Sequence, residues 1–444
     1  MSTRTIRAVI GKNFGDEGKG LAVDYFCSRA VNALVVKHNG GAQAGHTVEQ
    51  GGRRFVFHQL SAGSFRRSDT LWARTYYPDL YKLREEEEEF AAVAGFRPTV
   101  LSDAATPVTL IDDVLINMFL ETRRGAARHG SCGMGIYEAT LRTRTGFGFT
   151  VGDFLSCDAA TLTARILRFR EEYVSGRITT ALSENEGTAG GGSRSSGEEL
   201  FGFEKNASPE EILRRGLPGA EYLELLQSRH IVGNYVDEML RNAAKYITVA
   251  GDVGELLRSR EDIIFESGQG LLLDEDNRRY APHISASRTG LANPVMLLTE
   301  HGLALTEAVY VTRTYVTRHG AGPLPYECSR ESLGIASEDA TNVENPWQGK
   351  IRFATHGSAE EFTEPVREDL RCCEGEPQNP ECGTSPEAVR TSLFVTHLDE
   401  TNRRVLMADG ATEIESFQKE RAVREVFEGA YWAFGRGADD VVRP

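Results

Sequence analysis

The segment Gly15-Asp16-Glu17-Gly18-Lys19-Gly20 packs three glycines, two carboxylates and a lysine into six residues after an apolar stretch, Thr5 to Ile10. Glycines let backbone N–H groups approach a phosphate closely, and Lys19 adds a fixed positive charge. A carboxylate in such a turn repels phosphate unless a divalent cation lies between them or it acts as a base, and Asp16 suits either use. The segment is not a standard Walker A loop: position 13 is Asn, and Gly20 stands where Ser or Thr would meet magnesium. A second glycine-rich loop, Asn39-Gly40-Gly41-Ala42-Gln43-Ala44-Gly45-His46-Thr47, ends in a histidine able to donate to a phosphoryl oxygen and stabilise charge developing during transfer.

Both loops follow short apolar runs of the kind that form buried parallel strands. Ala33 to Lys37 leads into His38-Asn39-Gly40-Gly41, Ile263 to Phe265 into Glu266-Ser267-Gly268-Gln269-Gly270, Ala308 to Tyr315 into Thr317-Arg318-His319-Gly320, and Leu393 to Val395 into Thr396-His397-Leu398-Asp399. Ligands of open parallel sheets bind beyond the carboxyl ends of the strands, so these distant loops are expected to converge on one crevice. Apolar residues recur among charges over Arg84–Ala92 and Ala160–Tyr173, which predicts helices over the sheet. The expected fold is α/β, P-loop-NTPase-like, with a mostly parallel central sheet flanked by helices and helical insertions. The chain reads as one large domain over 1–444 with a helical insertion at roughly 75–260.

The composition, 40% hydrophobic and 26% charged, is that of an ordinary folded protein. A net charge of −15 excludes a general polyanion-binding surface, so a phosphate must be gripped locally and nucleic acid is not an expected partner. No run of ~20 apolar residues and no leader-like amino terminus are present, so a cytoplasmic protein with no membrane partner is expected. The seven cysteines read as reduced thiols, and Cys372, Cys373 and Cys382 lack paired spacing for a metal. The run Glu85 to Glu89 reads as a solvated helix face and Gly187 to Gly197 as a mobile loop.

Taken together, Gly-Asp-Glu-Gly-Lys-Gly at 15–20, Ala-Gly-His-Thr at 44–47, Gly-Gln-Gly at 268–270 and Thr-Arg-His-Gly-Ala-Gly-Pro at 317–323 resemble the adenylosuccinate synthetase family, in the family's order. Thr396-His397-Leu398-Asp399 extends the likeness. The resemblance implies a C–N ligase of purine biosynthesis: GTP phosphorylates the 6-oxygen of inosine monophosphate, and the amine of aspartate then displaces the phosphate. It implies Asp16 as general base and magnesium ligand, His46 as acid in phosphoryl transfer, and Gln269 steadying the purine oxyanion. Gly45 would add its carbonyl to the Mg2+ shell. The nucleotide-binding set would be Gly15, Glu17, Gly18, Lys19, Gly20, Gly45, Thr47, His397 and Asp399. The substrate-binding set would be Asn39, Gln43, Ser131, Cys132, Ser285, Arg318, Lys350 and Arg352, with Arg142 or Arg144 reaching a substrate phosphate across a homodimer interface.

Several positions depart from the family pattern. Gln43 stands for its Asn, Ser131-Cys132-Gly133-Met134-Gly135 for its Thr-Thr-Gly-Arg-Gly, and His397 for the lysine of its guanine-reading motif, while Asp399 is kept. Trp347-Gln348-Gly349-Lys350-Ile351-Arg352 replaces its arginine-rich aspartate loop. These changes open IMP, (d)GMP or another modified 6-oxopurine nucleotide as acceptor, ATP beside GTP as co-substrate, and another amino acid beside aspartate. A non-catalytic nucleotide-binding homologue is the alternative reading. A switch-type GTPase lacks the Ser or Thr after Lys19 and leaves Gly268-Gln269-Gly270 without a role.

Overall fold

The computed structural model describes residues 4–125, 128–184, 208–336, 347–373 and 389–444. A ten-stranded sheet runs in the order Val441–Val442, Gly429–Ala433, Arg390–Thr396, Glu307–Arg313, Thr5–Gly11, Asp262–Gly270, Leu34–Lys37, Asp69–Trp72, Val100–Ser102 and Ile247–Val249. Every adjacent pair is parallel except the first, which is antiparallel. The fold is therefore α/β with a mostly parallel sheet.

The central strands are apolar throughout because both faces are covered. Val9, Val35, Val309 and Phe394 pack into one hydrophobic cluster, while Ile10, Val36, Tyr310 and Val395 pack into the other. Each strand thus sends alternate side chains into opposite layers, as its period of two requires. The one irregularity beside the first strand is functional in position. Thr5 to Val9 pair residue for residue with Asp262 to Glu266, but Gly11 pairs with Gly270, so the intervening Ser267, Gly268 and Gln269 leave the ladder.

The predicted helices fall at Leu83–Ala94 and at Ala159–Phe169, the latter continuing through a π turn at Arg170–Val174 into Ser175–Glu184. The predicted strand Ala308 to Tyr315 is divided. Glu307–Arg313 joins the main sheet, and Val316–Arg318 turns away to pair antiparallel with Arg352–Ala354 in a small separate sheet.

The acidic run at 85–89 is not wholly a solvated face. Glu86 and Glu87 are buried, and the Glu86 carboxylate accepts backbone N–H groups of His58 at 2.7 Å, Gln59 at 2.9 Å and Leu60 at 3.1 Å. The three donors lie just beyond the end of the Arg53–Phe57 strand and would be orphaned without a carboxylate beneath them. Among the described residues no helix is long and apolar enough to cross a membrane, and no cluster of three or more His, Cys, Asp or Glu could hold a metal ion. Gly187 to Gly197 and Cys382 lie outside the described residues.

Candidate active site

The phosphate-type loop is built around a buried carboxylate. Glu17, 1% exposed, accepts the backbone N–H of Asn13 at 3.0 Å and of Gly15 at 2.7 Å, and its other oxygen meets Lys19 Nζ at 2.7 Å. Burial works to raise its pKa, but Lys19 and the N–H donors outweigh burial and hold it below the ordinary carboxylate value. Curling around Glu17 takes Gly15, Asp16 and Gly18 through left-handed backbone, at φ 106°, 60° and 92°. For Asp16 that conformation is uncommon, and it leaves the side chain facing the cavity, with His319 Nε2 3.6 Å from its carboxylate. The Lys19–Cys27 helix starts at once behind the loop.

Lys12, one step earlier, is buried beneath the loop. It donates to Phe362 O at 3.1 Å and lies 3.8 Å above the Phe362 ring, and burial pushes its pKa down to about 7 against a smaller upward pull from Glu17.

His46 opens the His46–Gln50 strand, 5% exposed, with Nδ1 against the Glu266 carboxylate. The same oxygen of Glu266 meets Lys37 Nζ at 3.3 Å, and its other oxygen accepts Ala62 N–H at 3.1 Å. Burial would raise the Glu266 pKa, but Lys37 and His46 bring it to about 2. Burial lowers that of His46, offset in part by Glu266. His46 Nε2 is buried without a hydrogen-bond partner among the described residues.

Gln269, displayed by the break in the ladder, is held through its oxygen by Asn39 Nδ2 at 3.0 Å, and Asn39 Oδ1 accepts Gly268 N–H at 2.9 Å. The oxygen being taken, the Gln269 amide presents N–H. Gln43 Oε1 is buried and unpartnered. Gly40, at φ 65°, makes room for both amides: a Cβ there would lie 2.8 Å from Gln269 Nε2 and 2.9 Å from Gln43 Nε2.

These groups meet in one cavity of about 890 Å3. From the predicted nucleotide set it takes Gly15, Gly18, Lys19, Gly20, Gly45, Thr47, His397 and Asp399, with Asp16 beside them, and Glu17 stands behind the loop. From the predicted substrate set it takes Gln43, Ser131, Cys132, Ser285 and Arg318, joined by His46 and Gln269, while Asn39 acts by holding Gln269. Ser131 Oγ donates to Asn117 at 2.9 Å, and Ser285 and Ser287 hydroxyls lie 3.2 Å apart. Arg318 donates to the carbonyls of Pro323 and His283 and stacks on Phe14 at 4.5 Å, and burial lowers its pKa to about 10. His397 sits in left-handed backbone at φ 62°, with Nδ1 2.8 Å from Thr396 Oγ1.

Other predicted residues lie elsewhere. Arg142 is fully buried and committed: it pairs with both oxygens of Asp113 at 2.9 and 2.8 Å and donates to Phe147 O and Val108 O. It is a strut between two helices, Ile111–Arg124 and Ile136–Arg144, and cannot reach a partner's ligand. Arg144 is exposed, 2.6 Å from Glu275, outside the cavity lining. Arg352 is turned back onto Glu327 and the carbonyls of Gly320 and Gly322, and neither it nor the exposed Lys350 lines the cavity. The residues that spacing had not singled out are Lys37 and Glu266. Their signal was a charge closing an otherwise apolar strand, at Leu34–Lys37 and at Ile263–Glu266.

The adenylosuccinate synthetase family model matches residues 8–183 and 212–345, more than half of the chain. The chain belongs to the adenylosuccinate synthetase family. The adenylosuccinate synthetase of Symbiobacterium thermophilum is 26% identical over 332 residues, covering 74% of this chain and 66% of that protein. That of Ectopseudomonas mendocina is 29% identical over 329 residues, covering 72% and 64%. The match thus spans just under two thirds of these relatives' length. A fully ligated adenylosuccinate synthetase from Plasmodium falciparum shares the fold with a TM-score of 0.63 at 14% identity, covering 99% of this chain and 100% of that one. The succinoaminodeoxyadenylate synthetase of cyanophage S-2L, bound to dGMP and to dATP as an energy donor, does so with a TM-score of 0.57 at 15% identity, covering 99% and 95%.

Two measurements check this electrostatic layout. Arg142→Met leaves Asp113 buried without its cation, so stability falls by about 3–5 kcal/mol in urea denaturation. Lys12, with a folded pKa near 7 against 10.5 unfolded, binds fewer protons folded than unfolded between those values. Its burial penalty is therefore full below pH 7 and is relieved as pH rises towards 10.5. The stability of the wild type minus that of Lys12→Met should accordingly rise across that window; a flat difference contradicts the assignment.

Proposed function

We propose that the protein is a GTP-dependent purine-nucleotide ligase of the adenylosuccinate synthetase type. It would phosphorylate the 6-oxo group of a purine nucleotide and replace the phosphate by the amine of L-aspartate or a similar amino acid. The observation that carries the reading is the convergence on one cavity of a carboxylate, an unpartnered histidine nitrogen and an amide N–H, from Asp16, His46 and Gln269.

In this reading Asp16 takes the N1 proton of the acceptor purine, which raises electron density on the 6-oxygen. Gln269 donates to that oxygen and steadies it while it attacks the γ-phosphorus and the nucleoside diphosphate leaves. His46 Nε2 donates to a phosphoryl oxygen as charge develops there. The amine then attacks C6, and phosphate departs with the C–O bond electrons. Lys19 and the N–H groups of the 15–20 loop hold the donor phosphates, and Asp399 accepts from the donor base. Asp16 and the Gly45 carbonyl, which line the same cavity, would hold Mg2+, an ion that favours one or two protein oxygens beside phosphates and water. When bound, that ion supplies positive charge that neutralises the phosphates. Arg144, with Arg142 committed to Asp113, is the candidate for a substrate-phosphate contact across a homodimer.

A second acceptor reading, (d)GMP with ATP as donor beside GTP, draws on the cyanophage relative and on Gln43. A buried, unpartnered Gln43 oxygen calls for an N–H donor, and a 2-aminopurine brings one that IMP lacks.

The test is mass spectrometry of products from IMP, GMP and dGMP, each with aspartate and GTP or ATP, alongside phosphate release. Release that requires the amino acid supports the ligase; release from nucleotide and water alone overturns it. Asp16→Ala and His46→Ala should each lower turnover by about 10²–10⁴-fold, with the melting transition unchanged in Asp16→Ala, and near-normal turnover in either removes that residue from the reaction.

A further inference from the structure

Resting on that reading, we propose that Arg313 is the positioning residue for Asp16. It fixes the backbone that turns this carboxylate into the cavity, and Tyr315 with Glu400 fixes Arg313 in turn. The family likeness assigned no role to any of the three.

The case begins with the shape of the loop. Asp16 sits in left-handed backbone at φ 60°, which is uncommon for a residue with a side chain and is kept only where the surrounding structure holds it. Before the turn, the Glu17 carboxylate accepts Gly15 N–H at 2.7 Å, and after it Thr396 Oγ1 donates to Glu17 O at 2.8 Å. Between these two, Arg313 Nε donates to the Asp16 carbonyl at 2.5 Å. That carbonyl lies in the peptide plane whose rotation is ψ of Asp16, so Arg313 holds the dihedral on which the direction of the side chain depends. Once that bond is lost, Asp16 can relax towards the commoner negative φ.

The place of Arg313 is itself set on two sides. It ends the central strand Glu307–Arg313, 6% exposed, in register with Thr396, and its carbonyl accepts from His356 Nε2 at 3.0 Å. At the guanidinium, Nη1 donates to Tyr315 Oη at 3.1 Å, and that hydroxyl donates to the Glu400 carboxylate at 2.7 Å. The chain runs in one direction, because an arginine only donates, an ionised carboxylate only accepts, and the phenol between them does both. Tyr315 is 2% exposed and its ring meets His397 edge-on at 5.9 Å, which keeps the hydroxyl in place. The planar fork of Arg313 can therefore aim one N–H at Asp16 and another at Tyr315, a geometry that a lysine lacks. Glu400 follows Asp399 in the chain, so the residue that would read the donor base and the residue that would act on the acceptor share one scaffold.

The test is Arg313→Met, made in the wild type and in Asp16→Ala. Arg313 lines the cavity, so a direct grip on substrate is the competing role, and the two backgrounds separate them. A residue that acts through Asp16 has nothing left to position once that carboxylate is gone. We expect Arg313→Met to lower kcat about 10–10²-fold with KM for both nucleotides within about threefold, and to change kcat of Asp16→Ala by less than about twofold. An equal loss in both backgrounds overturns the proposal, as does an unchanged kcat in the first. Crystal structures of the wild type and Arg313→Met read the same point without turnover, whatever the residual rate of Asp16→Ala. We expect the Asp16 carboxylate to be turned out of the cavity in the variant, and a carboxylate still facing it overturns the proposal. Should Arg313→Met not fold, Tyr315→Phe carries both measurements, since it removes one hydroxyl from a ring that stays packed. Its expected kcat loss is about three- to tenfold, and an unchanged kcat again overturns the proposal. Absence of ligation by the wild type would instead count against the ligase reading, and the crystal structures would still decide this one.

Discussion

The carboxylate of Glu17 is the constraint on which the rest of the site depends. It sits where the central strands end, 1% exposed, and draws the backbone N–H groups of Asn13 and Gly15 and the Lys19 ammonium onto its two oxygens. The neighbouring strands have to make room for it. A Cβ at Gly11 would lie 2.4 Å from one oxygen, and a Cβ at Gly270 would lie 2.6 Å from the other. The chain around it is forced into left-handed turns, and Asp16 is turned outward as a result. The loop is also tied across the sheet, since Thr396 donates to Glu17 O at 2.8 Å and Arg313 Nε donates to Asp16 O at 2.5 Å. These bonds bind the phosphate-type loop to the end of Arg390–Thr396, where His397 and Asp399 follow, across the intervening strand Glu307–Arg313.

A common theme is that the cavity groups are held by buried polar neighbours. Asn39 holds Gln269, Glu266 holds His46, Glu17 holds the 15–20 backbone, and Asn117 holds Ser131. Asn39 and Glu266 each consume one hydrogen-bonding atom of the group they support and leave the other, the Gln269 amide nitrogen or His46 Nε2, for the cavity. Pre-set donors and acceptors of this sort are what electrostatic stabilisation of a reacting phosphoryl group requires, because they need no reorganisation when charge develops. The ten-stranded sheet supplies the rigidity, with its apolar strands packed on both faces.

The charged residues divide by whether the chain around them has a use for the charge nearby. The family likeness offered Arg142 as a phosphate ligand, yet Asp113 and two carbonyls hold its guanidinium. Glu86 had the look of a solvated charge in a run of five, yet the turn at 58–60 needs an acceptor. Arg352, in the position of a substrate arginine, braces the Gly320 and Gly322 carbonyls instead. In each case the deciding partner is distant in sequence, so the local pattern carries no trace of it.

What the sequence determined by itself was the chemistry of the loops and the class of fold. Apolar runs ending in Gly-rich polar turns specify buried parallel strands with functional carboxyl ends, and the types and spacing at 15–20, 39–47 and 268–270 state which groups those ends carry. These are local properties, set by side-chain volume, backbone freedom and period. The tertiary structure alone decided the order of the strands, the break in the ladder that lifts Gln269 out, and the pairing of His46 with Glu266, 220 residues away. Such choices follow from which strands pack side by side, and a charge at a strand end acquires its role only when its neighbour in space, rather than in sequence, comes to lie against it.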